Sequence, residues 1–517
     1  MVSYREMLAM REIARLRTRH RARGSYCVSV NLNWSVIEIV LTVIGYLIPV
    51  VALFIVPVNR KPTAATAWLL VMFVLPYVGL ILFLVIGSPK LPRWRRAQQH
   101  AMDKRIEALT ARIQELPQTA LMFDPPIPPR FEPFTQLAAN LGGLAAVDGN
   151  SVELLDDYPE ILRRIASCID TAQRFVHVEY YALSADEETE CIFAAMERAR
   201  ERGVKVRVLM DQFGSRKYPH YRKTRKRLTR AGIAWHLMLP LRPAHGEFAR
   251  PDLRNHRKIV VIDGAIGFTG SQNIIKRNYF RHDKIYYDEL VAQVLGPAAM
   301  ALNAAFVTDW YAESGELLDQ QTAPDVLALP PAGGEALCQV LPSGSGFDDE
   351  NNLKLFTSLI HAAQRKLVIT NPYFVPDESL MVAITTAAQR GVDVSLINSQ
   401  VSDQFFVSHA QRSYYEELMR AGVKVYWYRP PILLHSKCMA IDDDIAVVGS
   451  SNLDMRSFHL NMEVTLLVYD RDTVTQLRRI EASYLAHARL LKLEEWRQRS
   501  IFKRLAENIC RLTSALQ

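Results

Sequence analysis

Six residues recur in this chain at one fixed spacing, and that repeat limits the possible folds more than any other feature. The first copy is His256, Lys258, Asp263, Gly270, Ser271 and Asn273; the second is His435, Lys437, Asp442, Gly449, Ser450 and Asn452. Both read H-x-K-x4-D-x6-G-S-x-N without a gap or shift. A lone His-x-Lys carries no information, whereas two unshifted copies of a longer pattern require a duplicated local structure.

The run from His256 to Ile262 (HRKIVVI) is apolar and β-branched after its start, which predicts a strand. Residues i and i+2 of a strand share a face, so His256 and Lys258 point the same way. Asp263-Gly264 signals a hairpin turn, Ala265 to Thr269 the returning strand, and Gly270-Ser271 its end, which brings Asn273 toward the same face. The second copy repeats this with strand His435 to Ile441, turn Asp442 to Asp444 and strand Ile445 to Val448. Asp263 and Asp442 belong to the catalytic motif by spacing, while their turn positions favour a structural role.

Imidazole, ammonium, hydroxyl and amide together suit a phosphodiester. A neutral imidazole can attack phosphorus or return a proton to a leaving alkoxide. Lys258, Lys437, Asn273 and Asn452, with Ser271 and Ser450, can hold the phosphate oxygens as charge develops on them. His256 and His435 then supply one nucleophile and one general acid. No cysteine or carboxylate stands at metal-ligand spacing beside either histidine, so the expectation is a site with no metal and no cofactor. Glu289 (YYDELV) and Glu463 (LNMEVT) follow the two motifs, and a carboxylate on the far ring nitrogen would fix the orientation of each histidine. Asp288 could take the place of Glu289.

The duplication runs wider than the motif. Ala172-Gln173-Arg174 before VHVEYYALSAD mirrors Ala363-Gln364-Arg365 before LVITNPYFVPD, and Arg202-Gly203-Val204 mirrors Arg390-Gly391-Val392. Each half alternates helix and strand up to its motif hairpin, which argues a layered α/β unit. Two such units about a pseudo-twofold axis would bring both motifs into one cleft.

On these residues the chain resembles the phospholipase D superfamily, and more narrowly the bacterial cardiolipin synthases of the two-motif, membrane-anchored type. The likeness runs from about residue 33 onward and is carried by LRNHRKIVVIDG, TGSQN, NPYFVPDE and GSSNLDMRSFHLNMEV. It implies two phospholipase D-like α/β/α units and transfer of a phosphatidyl group between two phosphatidylglycerol molecules, giving cardiolipin and glycerol. It also implies a covalent phosphatidyl-histidine on one of His256 and His435, the other protonating the departing alcohol. A hydrolytic phospholipase D, a nuclease of the same superfamily and a catalytically dead scaffold are the rival readings. Intact His, Lys and Asn in both copies argue against the last.

Ile39 to Val58 and Ala64 to Ile86 are uncharged runs, each long enough to span a bilayer core. Seven arginines precede them (Arg5, Arg11, Arg15, Arg17, Arg19, Arg21, Arg23), and Lys90, Arg93, Arg95 and Arg96 follow; the short loop between holds only Arg60 and Lys61. The positive-inside rule therefore predicts a multi-pass hairpin in the bacterial inner membrane with a cytoplasmic catalytic portion. A net charge of +8 suits anionic membrane lipids. The basic run Arg216 to Arg230 fits acidic head groups, nucleic acid or a solvated helix face, and the expected partner is lipid rather than nucleic acid. Six cysteines without a CxxC pair fit a reducing compartment.

The expected division is a basic N-terminal segment (1–32), the membrane hairpin (33–96), a helical and Pro-rich linker (97–135), and two repeat units (136–327 and 328–517). The second unit ends in a basic helical tail that would lie on the bilayer or pack on the core. Oligomeric state is left open.

Overall fold

The computed structural model describes residues 34–58, 60–88, 90–115, 120–241, 250–279, 284–318 and 331–514. The arginines before residue 24, and the expected unit boundary at 327/328, lie outside these residues. The chain forms two compact units, Met1–Gly87 and Ser88–Gln517.

In the first unit, Trp34–Ile55 is one helix that carries Pro49 inside it. Apolar residues surround it, and Ile39, Tyr46 and Phe54 are exposed, the pattern of a helix that faces lipid. Among the described residues it alone is both long and apolar enough to cross a membrane as a single helix, over Val36–Ile55. The second expected span differs from its prediction. It is broken into Pro62–Val74 and Pro76–Ile86, with Leu75 extended between them (φ −133°, ψ 73°). Pro76 lacks the amide a continuous helix needs and bars its predecessor from the α region. A Cβ on Gly79 would lie 2.9 Å from the Met72 Cα, so a glycine is what lets the two short helices close on each other.

The second unit is built on one 15-stranded sheet. From one edge it runs Ala488–Leu490, Lys424–Tyr428, Asp393–Ser399, Lys366–Thr370, Cys438–Ile441, Ile445–Gly449, Glu463–Tyr469 and Ala336–Ser343. It continues through Val147–Leu155, Val291–Leu295, Ile266–Gly270, Lys258–Ile262, Phe175–Tyr180, Lys205–Asp211 and Ala234–Met238. Apart from the edge strand Ala488–Leu490, the order after the midpoint mirrors the order before it. The two middle strands pair antiparallel (Val147 with Cys338, Asn150 with Ala336). Equivalent strands that meet antiparallel are related by a twofold rotation, so the repeats share a pseudo-twofold axis through this junction. They are therefore halves of one continuous layer, not beads on a linker.

The strands are buried on both faces because helices cover the sheet on both sides, which is why they read as continuous apolar runs rather than alternating ones. Helix Pro297–Ser314, with Phe306 and Trp310 fully enclosed, belongs to the central core. Tyr158–Thr171 and Glu190–Glu201 pack together over the first half.

The tail after residue 473 packs on the core. Trp496 lies among Tyr415 and Trp427 (ring centroids 5.4 Å from each), and Arg511 stacks over Tyr414. The last helix, Ile501–Arg511, buries Glu507 and Cys510 while Ile501, Phe502, Leu505 and Ile509 face outward. In the basic run, Arg227 is tied to Glu190 and Glu197. Part of that charge is thus consumed within the fold.

Candidate active site

Lys258–Ile262 and Ile266–Gly270 form the first motif hairpin, Cys438–Ile441 and Ile445–Gly449 the second. The histidines stand just before their strands rather than in them. Each is held by backbone from the opposite half: His256 N–H donates to the Met462 carbonyl (2.8 Å), and His435 N–H to that of Asp288 (2.7 Å). Ile432–Leu434 pairs parallel with Tyr286–Asp288, and Asn255 bridges Met462. The crossing puts each histidine beside the other repeat's glutamate.

That exchange sets the side-chain geometry. His256 Nδ1 lies 2.9 and 3.0 Å from the two Glu463 oxygens, and His435 Nδ1 lies 2.8 and 3.0 Å from those of Glu289. Both glutamates are fully buried. Because a carboxylate accepts, Nδ1 carries the proton and Nε2 keeps a free lone pair in the neutral ring. Burial alone would raise both glutamates, but the facing histidine, the neighbouring lysine and a serine hydroxyl outweigh it and hold them below the usual carboxylate range. The expected orienting residues are thus in contact with histidines, each across the repeat boundary. Asp288 does not substitute for Glu289: its side chain takes Arg277 and the Tyr428 hydroxyl (3.0 Å) instead.

Lys258 Nζ donates to the His256 carbonyl (2.7 Å), and Lys437 Nζ to that of His435 (2.8 Å) while standing 3.2 Å from His435 Nε2. Burial lowers Lys258 to about 7 and Lys437 to about 8, with the glutamates resisting. His256 is lowered to about 4 by burial and by both lysines, against the pull of Glu463; His435 is also lowered, chiefly by burial. Lys437 acts on His256 and Glu289 on Lys258, so the two motifs share one electrostatic site. At neutral pH it offers two neutral imidazoles beside partly charged ammonium groups, a setting that gains from an arriving phosphate anion.

Asn273 Oδ1 accepts from the Ala182 amide (3.2 Å), which leaves its two N–H donors. Asn452 Oδ1 is buried without a hydrogen-bond partner. Amide oxygen and nitrogen exchange places by a flip, so this side chain can present donors to an anion.

Four expected roles change. Ser271 and Ser450 meet backbone and carboxylate. Ser450 Oγ donates to Glu463 and accepts the Val464 amide (3.0 Å); Ser271 Oγ accepts the Leu290 amide (2.9 Å) and helps hold Glu289. They brace the carboxylates. The preceding glycines make this possible, since a Cβ at Gly270 would lie 2.3 Å from the Leu290 carbonyl oxygen and one at Gly449 2.6 Å from that of Val464. Asp263 and Asp442 are engaged by backbone at the far ends of their strands. Asp263 accepts the amides of Gln173, Arg174 and Phe175 (each 2.8 Å), and Asp442 those of Gln364, Arg365 and Lys366 (3.1, 2.8 and 2.9 Å). Five residues of strand put them about 16 Å from the lysines. Each sits at positive φ (53° and 49°), where its bonded carboxylate pins the turn to the next strand.

Sequence reasoning missed several neighbours. Tyr181 meets His256 edge-on (5.1 Å), and Tyr287 and Tyr373 meet His435 (5.6 and 5.8 Å). Asp403 accepts from both of the latter phenols. Arg257, on the opposite face of the motif, pairs with buried Asp309. Tyr181, Tyr287, Tyr373 and Arg257 lie in the segments VHVEYYALSAD, YYDELV, NPYFVPDE and LRNHRKIVVIDG, but their roles are not legible there, and Asp403 lies in none of them.

The family model described as "Cardiolipin synthase, PLD-like domain" matches residues 165–310 and 356–483, one segment per repeat, and "Phospholipase_D-nuclease N-terminal" matches 47–88. Cardiolipin synthase A of Proteus mirabilis (strain HI4320) is 34% identical over 468 residues, covering 90% of this chain and 95% of that protein. The chain belongs to the cardiolipin synthase family. A second member, cardiolipin synthase A of Pectobacterium carotovorum subsp. carotovorum (strain PC1), is 33% identical over 91% of this chain and 96% of its own length. The crystal structure of phosphatidylserine synthase from Haemophilus influenzae Rd KW20 shares the fold of the catalytic body (TM-score 0.55, 18% identity, 75% of this chain and 100% of that one). Membership in this family makes the chain a membrane-associated phosphatidyltransferase acting on phospholipids.

Proposed function

We propose that this cardiolipin synthase joins two phosphatidylglycerol molecules, releasing glycerol, through a phosphatidyl-histidine. The observation that carries the mechanism is the reciprocal clamp, His256 on Glu463 and His435 on Glu289. Nε2 of one histidine attacks phosphorus and the P–O bond to glycerol breaks. The other histidine takes up a proton as the phosphate anion arrives beside it, is stabilised as a cation by its glutamate, and delivers that proton to the glycerol oxygen. That second histidine, now neutral, takes the proton of a hydroxyl on the next phosphatidylglycerol, whose oxygen displaces histidine from phosphorus. Lys258, Lys437, Asn273 and Asn452 hold the phosphate oxygens throughout. One phosphodiester replaces another, so no nucleotide is consumed, and water must be kept from the intermediate.

The membrane reading follows from the chain's path. Lys90 donates to the Asp348 carbonyl (2.8 Å) and Arg95 pairs with Glu313 (2.6 Å), so residues 90–95 already belong to the catalytic body. Whichever side the second span ends on, the body occupies. The basic flanks make that side the cytoplasm of the bacterial inner membrane, with Trp34–Ile55 as one span and the Pro-broken pair Pro62–Val74 and Pro76–Ile86 as the other. A basic segment 1–32, the hairpin from residue 33 up to the start of the catalytic body, the linker to 135, and repeats at 136–327 and 328–517 complete this organisation.

Purified protein supplied with phosphatidylglycerol decides the reaction by lipid masses. Cardiolipin and free glycerol are the expected products, and added glycerol should drive the reaction backward. Phosphatidic acid as the sole product would make it a hydrolase.

A further inference from the structure

The two histidines have unlike surroundings. Beside His435, the Tyr373 hydroxyl donates to Asp403 Oδ1 (2.6 Å) and the Tyr287 hydroxyl to Oδ2 (3.2 Å). Asp403 is half-buried, just before the helix Phe405–Arg420. Its charge favours the protonated forms of His435 and Lys437 and reaches Tyr181, the ring beside His256. It therefore stands beside the second motif, and its charge is felt at the ring next to the first. Asp211, whose charge also reaches Tyr181, has its oxygens taken by the amides of Phe213, Gly214 and Asn255 and by Arg254. Asp403 accepts only phenols among the described residues.

A carboxylate beside a phosphodiester site repels the very anion the site must hold. Its use must lie with another part of the substrate. A carboxylate offers about four acceptor positions, so after two phenols one remains on each oxygen, side by side. Two adjacent acceptors match two adjacent hydroxyls. An ammonium head group fits less well, because Lys258, Lys437 and any protonated histidine would repel it.

We infer that Asp403 reads the glycerol head group, accepting both hydroxyls of its vicinal diol while Tyr287 and Tyr373 hold the carboxylate in place. This rests on the phosphatidylglycerol reading above. It makes Asp403 a specificity residue for the donor lipid, with no part in proton transfer.

The test compares two donors in mixed micelles with 1-butanol as the shared acceptor, phosphatidylglycerol and phosphatidylethanol, which lacks both hydroxyls; phosphatidylethanolamine serves as an ammonium-bearing control. Asp403→Asn keeps the shape and replaces one acceptor by a donor. It should lower kcat/KM for phosphatidylglycerol by about 10- to 100-fold more than for phosphatidylethanol, the weight of hydrogen bonds to a charged group, because any weakening of His435 and Lys437 protonation falls on both donors alike. Tyr373→Phe, which removes one brace, should show a smaller loss with the same donor selectivity, and keeps the test available if the Asn variant does not fold. Equal losses on both donors would mean a structural or general electrostatic role and would overturn the inference, as would an unchanged rate with phosphatidylglycerol. So would a wild-type preference for phosphatidylethanolamine that Asp403→Asn abolishes, because the carboxylate would then be reading an ammonium. If the wild type discriminates between the two donors through Asp403 yet never forms cardiolipin, the diol reading stands and the synthase reading falls. No turnover of phosphatidylglycerol at all overturns both.

Discussion

Replacing Glu463 by Gln keeps the side-chain shape and removes one buried charge. His256 Nδ1 lies 2.9 and 3.0 Å from that carboxylate, and Glu463 is the strongest influence keeping a ring already lowered to about 4 from falling further. In either role, nucleophile or acid, this imidazole becomes cationic in one step. Without Glu463 that cation forms in a buried site with no counter-charge, a loss of about 3–5 kcal/mol for breaking a buried pair. At about 1.4 kcal/mol per decade, kcat should drop by about 10²- to 10⁴-fold. The pH profile should move as well. Glu463 also raises Lys258, so the variant lowers that ammonium below its value of about 7. A group needed in its protonated form is active below its pKa and lost as pH rises through it, so the alkaline limb should shift to lower pH. Cardiolipin formed from phosphatidylglycerol, measured by mass across the neutral range, reads both effects. A kcat within about threefold of wild type, or an unmoved alkaline limb, would refute the cross-repeat clamp.

His256→Ala and His435→Ala should each reduce turnover by several orders of magnitude in protein that still folds, with a lowered melting temperature from the unpaired buried glutamate, since each removes a whole chemical step; near-normal cardiolipin synthesis by either would end the two-histidine mechanism. Asp263→Ala and Asp442→Ala should do the opposite. Each frees three backbone amides and should destabilise by about 1–3 kcal/mol in thermal melts, while kcat of the folded enzyme stays near wild type. Chelation with EDTA is expected to leave activity in place, and loss restored by a single transition metal would contradict the chemistry proposed.

The chemistry was legible in the chain because it is written in local spacing. His256 and Lys258 share a face two residues apart, as do His435 and Lys437, and backbone geometry alone brings each pair together. The apolar, β-branched runs were legible as strands for the same reason. Second-neighbour roles were not. Ser271 and Ser450 looked like phosphate ligands because a hydroxyl suits either an anion or a carboxylate, and only the path of Leu290 and Val464 against Gly270 and Gly449 shows which it meets. The run Ala64 to Ile86 reads as one span because hydropathy measures solvent preference and not helix continuity, which Pro76 interrupts.

From its sequence alone the protein is a duplicated α/β chain with two His-Lys-Asn sets, preceded by apolar runs long enough for a membrane. Those properties depend on residue type and on separations of a few positions. The partners of the catalytic groups were decided by the tertiary structure: Glu463 for His256 and Glu289 for His435, separated in the chain by 207 and 146 residues. In sequence each glutamate follows the histidine of its own repeat. The twofold pairing of Val147–Leu155 with Ala336–Ser343 turns the halves toward each other and exchanges those partners. The twofold arrangement could be expected from the duplication, but the exchange of glutamates across it, which no local pattern encodes, makes neither half a complete site.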